Sequence, residues 1–240
     1  MSKPILTYFS SRGKSELIRI ILADCGVDYD EVNVGVWHPT EKSDAFKQLV
    51  ESKTLAFDSL PSYQDDQILL VQSSSIVRYL GKKFGLAGKD LVEESLIDQY
   101  YEGILDLNVL LRSAFTASYP VSSEITNESI EQKIQIILKE KLPKLLQFFE
   151  RALEGGKEYL VGGKISYADI ALFYALDTYT EVLGSYFENQ LNSGEELKNL
   201  KQLHARVKAR EGIQKHLNNP NRFPKQSLPG YEKIAQQLQQ

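Results

Sequence analysis

The sequence predicts a small α/β domain of βαβ–ββα order, followed by an all-helical domain. Three observations carry that prediction. Short apolar runs of strand length occur early, and the strand signal vanishes from about residue 91. The composition changes at residues 83–90 (KFGLAGKD). Beyond that point apolar residues recur at helical spacing over long stretches. The expected boundaries are 1–82 for the first domain, 83–92 for a linker, 93–218 for the helical domain and 219–240 for a tail.

Residues 4–9 (PILTYF) have the character of a short buried strand, with Leu6 and Tyr8 on one face and Ile5, Thr7 and Phe9 on the other. Leu17, Ile18, Ile21 and Leu22 then form an apolar stripe at helical spacing, which Gly26 stops. Residues 29–34 (YDEVNV) supply a second strand, so a parallel pair with a right-handed crossover is expected. Residues 35–60 are polar and poorly periodic, and read as a loop containing a short helix. LPSYQDDQILLV, from Leu60, reads as a hairpin turning at Asp65 and Asp66. QSSSIVRYLGKKFG, from Gln72, reads as a helix capped by Ser73 or Ser74 and buried through Ile76, Val77 and Leu80.

In the second domain, Ile97, Tyr100, Tyr101, Ile104, Leu107 and Leu111 mark one long helix. Ile130, Ile134, Ile137, Leu138, Leu142, Leu145, Phe149 and Leu153 mark another, with a kink or break expected at Pro143. A third runs from Ser166 to about Val182; Ser166 and Asp169 have capping-box spacing, with Asp in place of Glu. A fourth, amphipathic helix covers about 196–217, and the tail after Asn218 holds Pro220, Pro224 and a weak helical end.

Composition narrows the function. Of 240 residues, 42% are apolar, enough for ordinary cores and against disorder. The net charge of −4 and the lack of a long basic run argue against nucleic acid as a partner. No apolar run approaches membrane-spanning length, and no signal-peptide core opens the chain. One cysteine, Cys25, excludes an internal disulfide and an all-cysteine metal site. It is expected to be buried and inert on the apolar side of the first helix. His38, His204 and His216 show no paired metal-ligand spacing, and the last two read as surface residues of an amphipathic helix. A soluble cytosolic protein is expected.

Tyr8 leaves its strand just before a helix N-terminus, a junction where backbone amides converge on bound anions. Together with residues downstream, it makes the chain resemble the cytosolic glutathione transferases, through to roughly residue 218. The likeness is carried in order by LTYF..RG (Tyr8, Arg12, Gly13), Trp37, Leu60–Pro61, QSSSIVRYL (Gln72, Ser73, Arg78, Tyr79), Asp98 and ISYADI (Ser166, Asp169). Tyrosine, rather than serine or cysteine, at position 8 places it nearest the sigma, alpha, mu and pi group. The resemblance implies a thioredoxin-like first domain, glutathione as co-substrate, no metal, a hydrophobic electrophile as second substrate, a homodimer and a cytoplasmic location.

The resemblance also implies roles. The Tyr8 hydroxyl would donate to the glutathione sulfur, and a bond to the charged form favours that form, acidifying the thiol. Gln72 and Ser73 would hold the γ-glutamyl end at a helix start. Pro61 would be cis, so that Leu60 offers its backbone N–H and C=O to the cysteinyl part. Trp37 would face the glycyl end with Lys42 beside it. Here the tryptophan-to-lysine spacing is five rather than the family's usual four, which leaves open whether Lys42 or His38 makes the contact. Before Leu60 stand Asp58 and Ser59, where relatives commonly have glycine and then glutamine or lysine; weaker glutathione affinity is the expected consequence. Asp98 would reach across a two-fold interface to the partner's glutathione amine. Ser166 and Asp169 are read as structural. The electrophile would be bordered by Phe9, Arg12, Leu111, Phe115 and Tyr119, with Phe223 in position to act as a lid.

Two other readings stand beside transferase chemistry: a glutathione-dependent isomerase like the sigma-class prostaglandin D synthases, and a non-catalytic ligand carrier or structural protein like the lens S-crystallins.

Overall fold

In a computed structural model, described for residues 2–38, 40–118, 127–192 and 196–224, the chain forms two compact units. The first comprises the N-terminal residues through Ala87 together with the described residues from Ala209 on; the second is built on Gly88–Lys208.

The first unit opens as the sequence predicts. Strand β1 (Ile5–Tyr8) leads through a single 3-10 turn (Gly13–Ser15) into α1 (Glu16–Asp24), and β2 (Asp30–Asn33) pairs with β1 in parallel. The polar stretch holds one short helix, α2 (Asp44–Glu51), whose N-cap Ser43 accepts from the Phe46 amide. The hairpin β3 (Ser62–Gln64) and β4 (Leu69–Val71) follows, and Asp65 accepts the Gln67 and Ile68 amides at its turn. The sheet order is β2-β1-β3-β4, with β3 antiparallel to both neighbours. Helix α3 (Ser73–Lys83) completes the βαβ–ββα order.

Two expectations for this unit are corrected. Neither Ser73 nor Ser74 is the cap of α3: the N-cap is Gln72, whose side chain makes no capping bond, and Ser73 already lies inside the helix. The amphipathic helix expected over 196–217 is two helices, α9 (Lys198–Lys208) and α10 (Glu211–Leu217), and the chain changes unit between them, not at 218. Helix α10 packs on α1, so closely that a Cβ added to Gly212 would lie 2.1 Å from the Ala23 carbonyl oxygen. This explains why every residue from Glu16 to Leu22 is buried, although the apolar stripe of α1 covers only one side. Helices α3 and α10 both pack on α1, and His216 of α10 meets Glu16; Arg19 turns to Glu31 and the Ser11 and Arg12 carbonyls.

Among its described residues the second unit consists of helices joined by turns and loops, with no strand. Helix α4 (Leu91–Ser118) packs on α7 (Tyr167–Leu183), with the Tyr101 and Tyr167 rings edge to face at 5.3 Å. The Tyr179 hydroxyl donates to the Leu107 carbonyl at 2.8 Å. Between them come α5 (Asn127–Ile136) and α6 (Leu142–Ala152). Pro143 sits in the first turn of α6, and the break it imposes takes the form of a π-helical turn at Ile137–Lys141. The capping box forms as read: Ser166 Oγ accepts from the Asp169 amide, and Asp169 accepts from the Ser166 and Leu160 amides. Gly184 ends α7 and α8 (Ser185–Asn192) follows. The buried Glu150 accepts the Asn199 and Leu200 amides at the start of α9. His204 is not on the surface. Its ring stacks on Phe173 at 5.1 Å, 3.8 Å from Asp177.

Candidate functional site

The strand register gathers the predicted residues at one end of the sheet. Thr7 faces Ser62, and Ser62 faces Val71. The next residues outward are therefore Tyr8 at the end of β1, Pro61 before β3 and Gln72 after β4. Asn33, opposite Tyr8, leads on towards Trp37. This is the carboxyl end of β1, β2 and β4, where α/β sheets hold ligands.

Tyr8 is buried, its ring edge-on to Phe9 at 5.5 Å in a cluster with Val34 and Phe46. Phe9 is part of that support behind Tyr8. The Tyr8 hydroxyl oxygen accepts from the Lys14 amide at 3.0 Å. Its own hydrogen has no acceptor among the described residues, so it is available to a ligand atom. Gly13 makes this approach possible: at φ +40°, a Cβ there would stand 2.5 Å from the hydroxyl oxygen.

The turn between Tyr8 and Lys14 is braced from beneath by Arg19, which the sequence reading passed over. Its guanidinium donates to the Ser11 and Arg12 carbonyls (3.1 and 3.2 Å), to Glu16 (3.3 Å) and to Glu31 (2.5 and 2.9 Å), and lies 6.0 Å from the Tyr8 ring centroid. A glutamate and an arginine three apart inside an otherwise apolar helix were the available signal. Glu16 is fully buried. Burial alone would raise its carboxyl, but the bonds and charges of His216 and Arg222 outweigh it and hold the group at about 2. His216 is thus no surface residue: its Nε2 lies 3.0 Å from Glu16. Arg12 donates to the Phe223 carbonyl at 2.6 Å, and the Phe223 ring lies 4.8 Å from the Arg19 guanidinium carbon, within the first unit.

At the other side of the site, the Leu60–Pro61 bond is cis. Gln72 adopts φ +73°, rare for a residue with a side chain, and delivers the chain into the N-terminus of α3. With no cap from the Gln72 side chain, the first amides of α3 and the half-buried Ser73 are suited to a carboxylate. Trp37 is 45% exposed, and Lys42 Nζ lies 5.8 Å from its ring centroid. The His38 ring is engaged within the loop. Its Nδ1 accepts the Thr40 and Glu41 amides at 3.3 and 3.0 Å, closing the loop and returning Lys42 to Trp37. Lys42 also donates to the His38 carbonyl at 3.3 Å.

The remaining predicted residues lie in the second unit or play no part. Asp98, half-buried on α4, accepts from the Tyr167 hydroxyl at 3.1 Å. Leu111 is buried in α4. The Phe115 side chain and the whole of Tyr119 lie outside the described residues. Cys25 is half-buried at the end of α1, and burial pushes its thiol up to about 11, far from a reactive thiolate. Among the described residues no group of three His, Cys, Asp or Glu is placed to hold a metal ion, and no helix is long and apolar enough to cross a membrane.

Known families and structures resemble this chain over most of its length. Residues 4–82 match the family model of the glutathione S-transferase N-terminal domain, and residues 116–220 that of the C-terminal domain. The chain is 34% identical over 188 residues to human (Homo sapiens) glutathione S-transferase A3, covering 78% of each. It is 37% identical over 183 residues to Xenopus laevis glutathione S-transferase P 1, covering 74% of this chain and 77% of that one. A solved structure, the Pi-class glutathione S-transferase of Onchocerca volvulus, superposes with a TM-score of 0.68 at 29% identity, over 90% of this chain and 92% of that one.

Proposed function

The chain belongs to the glutathione S-transferase family, and from that premise we propose that it joins the glutathione thiolate to hydrophobic electrophiles, with Tyr8 stabilising the thiolate. The observation that carries the mechanism is the Tyr8 hydroxyl, held by the Lys14 amide with its own hydrogen uncommitted among the described residues. A phenol so placed donates to a thiolate more strongly than to a thiol, which lowers the thiol pKa. A fall of roughly two pH units needs about 2.7 kcal/mol of differential stabilisation. One hydroxyl bonded to a charged partner supplies most of that, aided by the amides at the adjoining helix start.

Gln72 and Ser73 take the γ-glutamyl carboxylate at the start of α3, Leu60 takes the cysteinyl backbone beside Pro61, and Trp37 with Lys42 takes the glycyl carboxylate. Holding both reactants close then turns a bimolecular encounter into a local one. We further propose a cytoplasmic homodimer in which the partner subunit's Asp98 meets the glutathione amine.

Tyr8→Phe tests the mechanism. Ultraviolet titration of bound glutathione should show the thiol pKa rising by roughly one to two pH units, with kcat falling about in step with the thiolate fraction at neutral pH. An unchanged titration would remove Tyr8 from the reaction. An activity panel of an aryl halide, a peroxide and an endoperoxide then separates transferase from isomerase and carrier.

A further inference from the structure

The C-terminal segment grips the turn that aims Tyr8, and it does so at both ends. The turn runs from Arg12 to Glu16 and contains the Lys14 amide that holds the Tyr8 hydroxyl. At its first residue, Arg12 Nε donates to the Phe223 carbonyl at 2.6 Å. At its last, Glu16 accepts from Arg222 Nε at 2.7 Å. Two adjacent residues, more than 200 positions downstream, are thus bonded to the two ends of a five-residue turn. Arg19 completes the frame: it bonds the Ser11 and Arg12 carbonyls and Glu16, and the Phe223 ring lies on its guanidinium.

Resting on the thiolate role of Tyr8, we propose that Arg222 is a positioning residue for the reaction. Through Glu16 it sets the pitch of the Gly13–Lys14 turn, and so the point at which the Tyr8 hydroxyl sits. The groups are buried: the side chains of Arg222 and Glu16 are 9% and 0% exposed. In such surroundings a charged hydrogen bond is strong and has one geometry. Glu16 is the shared node. His216 also reaches it, at 3.0 Å, as does Arg19, at 3.3 Å. Removal of Arg222 therefore leaves the carboxylate partnered by His216 and Arg19 while taking away the tie that fixes its angle at this end of the turn. The consequence is selective. Arg222 is not among the residues assigned to glutathione, so its loss acts on thiol acidity and not on peptide capture.

The test compares Arg222→Gln, Arg222→Lys and Tyr8→Phe with the parent enzyme, using glutathione as the titrated ligand and an aryl halide as the second substrate. In Arg222→Gln the thiol pKa of bound glutathione should rise by about one pH unit and kcat at neutral pH fall about tenfold, since one unit is a factor of ten in ionisation. KM for glutathione should stay within about twofold. Arg222→Lys, which keeps the charge but not the planar fork, should recover part of the loss. Should Arg222→Gln fail to fold, Arg222→Lys carries the test alone, with a smaller shift in the same direction. If the arginine variants lose thermal stability but titrate as the parent while Tyr8→Phe does not, Arg222 is structural only and the inference is overturned. If Tyr8→Phe also titrates as the parent, the thiolate role of Tyr8 is what fails.

Discussion

Gly13 and the Tyr8 hydroxyl stand so close that a single methyl group between them would lie 2.5 Å from the oxygen. Gly13→Ala therefore meets two obstacles, the contact itself and a backbone at φ +40°. The turn must open or the ring must tilt, and either change moves the hydroxyl from the Lys14 amide. We expect kcat for conjugation to fall at least tenfold, with a stability loss of about 1–2 kcal/mol. Steady-state kinetics and thermal melts measure the two effects separately. Wild-type kcat in Gly13→Ala would show that the close approach has no chemical consequence.

Lys42 tests a different part of the site. Its ammonium lies beside Trp37 and is exposed to solvent. Lys42→Ala should raise KM for glutathione several-fold and leave kcat nearly unchanged, because a carboxylate contact far from the sulfur is equal in ground and transition states. The effect should shrink at high ionic strength, as for any exposed charge. His38→Ala opens the loop that returns Lys42 to Trp37, and should reproduce part of the KM change.

The α1–α10 contact has no slack at Gly212. A Cβ there would lie 2.1 Å from the Ala23 oxygen, a backbone atom that cannot turn aside. Gly212→Ala must separate the helices, at a cost of about 1–3 kcal/mol. A melting temperature equal to that of the parent in differential scanning calorimetry would contradict this packing.

Acid should loosen the same region. The Glu16 carboxyl falls from 4.5 to about 2 on folding, as the hydrogen bonds and charges of His216 and Arg222 overcome the opposing effect of burial. A depressed carboxylate adds stability above its unfolded pKa and loses that contribution as pH falls through the folded one. The loss therefore develops between about pH 4.5 and pH 2, and at 1.36 kcal/mol per pH unit amounts to roughly 3 kcal/mol. Asp65, also held at about 2 through Lys83, Gln67 and Tyr79 against the effect of burial, contributes in an overlapping window. The difference between parent and Glu16→Gln isolates the Glu16 part. The variant should be less stable at neutral pH, with a flatter stability profile below pH 4.5. Parallel profiles would show that Glu16 carries no such linkage.

Much of this protein is written in short-range pattern. The strand, helix and strand at its start, the hairpin turning at Asp65 and the Ser166–Asp169 capping box each depend on residues within a few positions, so alternation, helical spacing and cap chemistry foretell them. The candidate residues Tyr8, Trp37, Pro61 and Gln72 were named through resemblance, and the sheet register brings Tyr8, Pro61 and Gln72 to one end of the sheet. Where local rules compete, local reading failed. Ser73 is as good a cap as any, yet Gln72 holds that place in a strained backbone conformation that no propensity favours.

The sequence alone determined the order of elements, the tyrosine at the strand exit and the glycine beside it. Only tertiary structure decided that His216 and Arg222 meet Glu16, that Arg19 lies under the turn holding the Lys14 amide and that the described residues from Ala209 on belong with the first unit. The reason is physical. Helical period and capping are set by neighbours along the chain, whereas a buried ion pair across 206 positions has no local signature. In sequence it is only a glutamate, a histidine and an arginine, each of which would ordinarily face water.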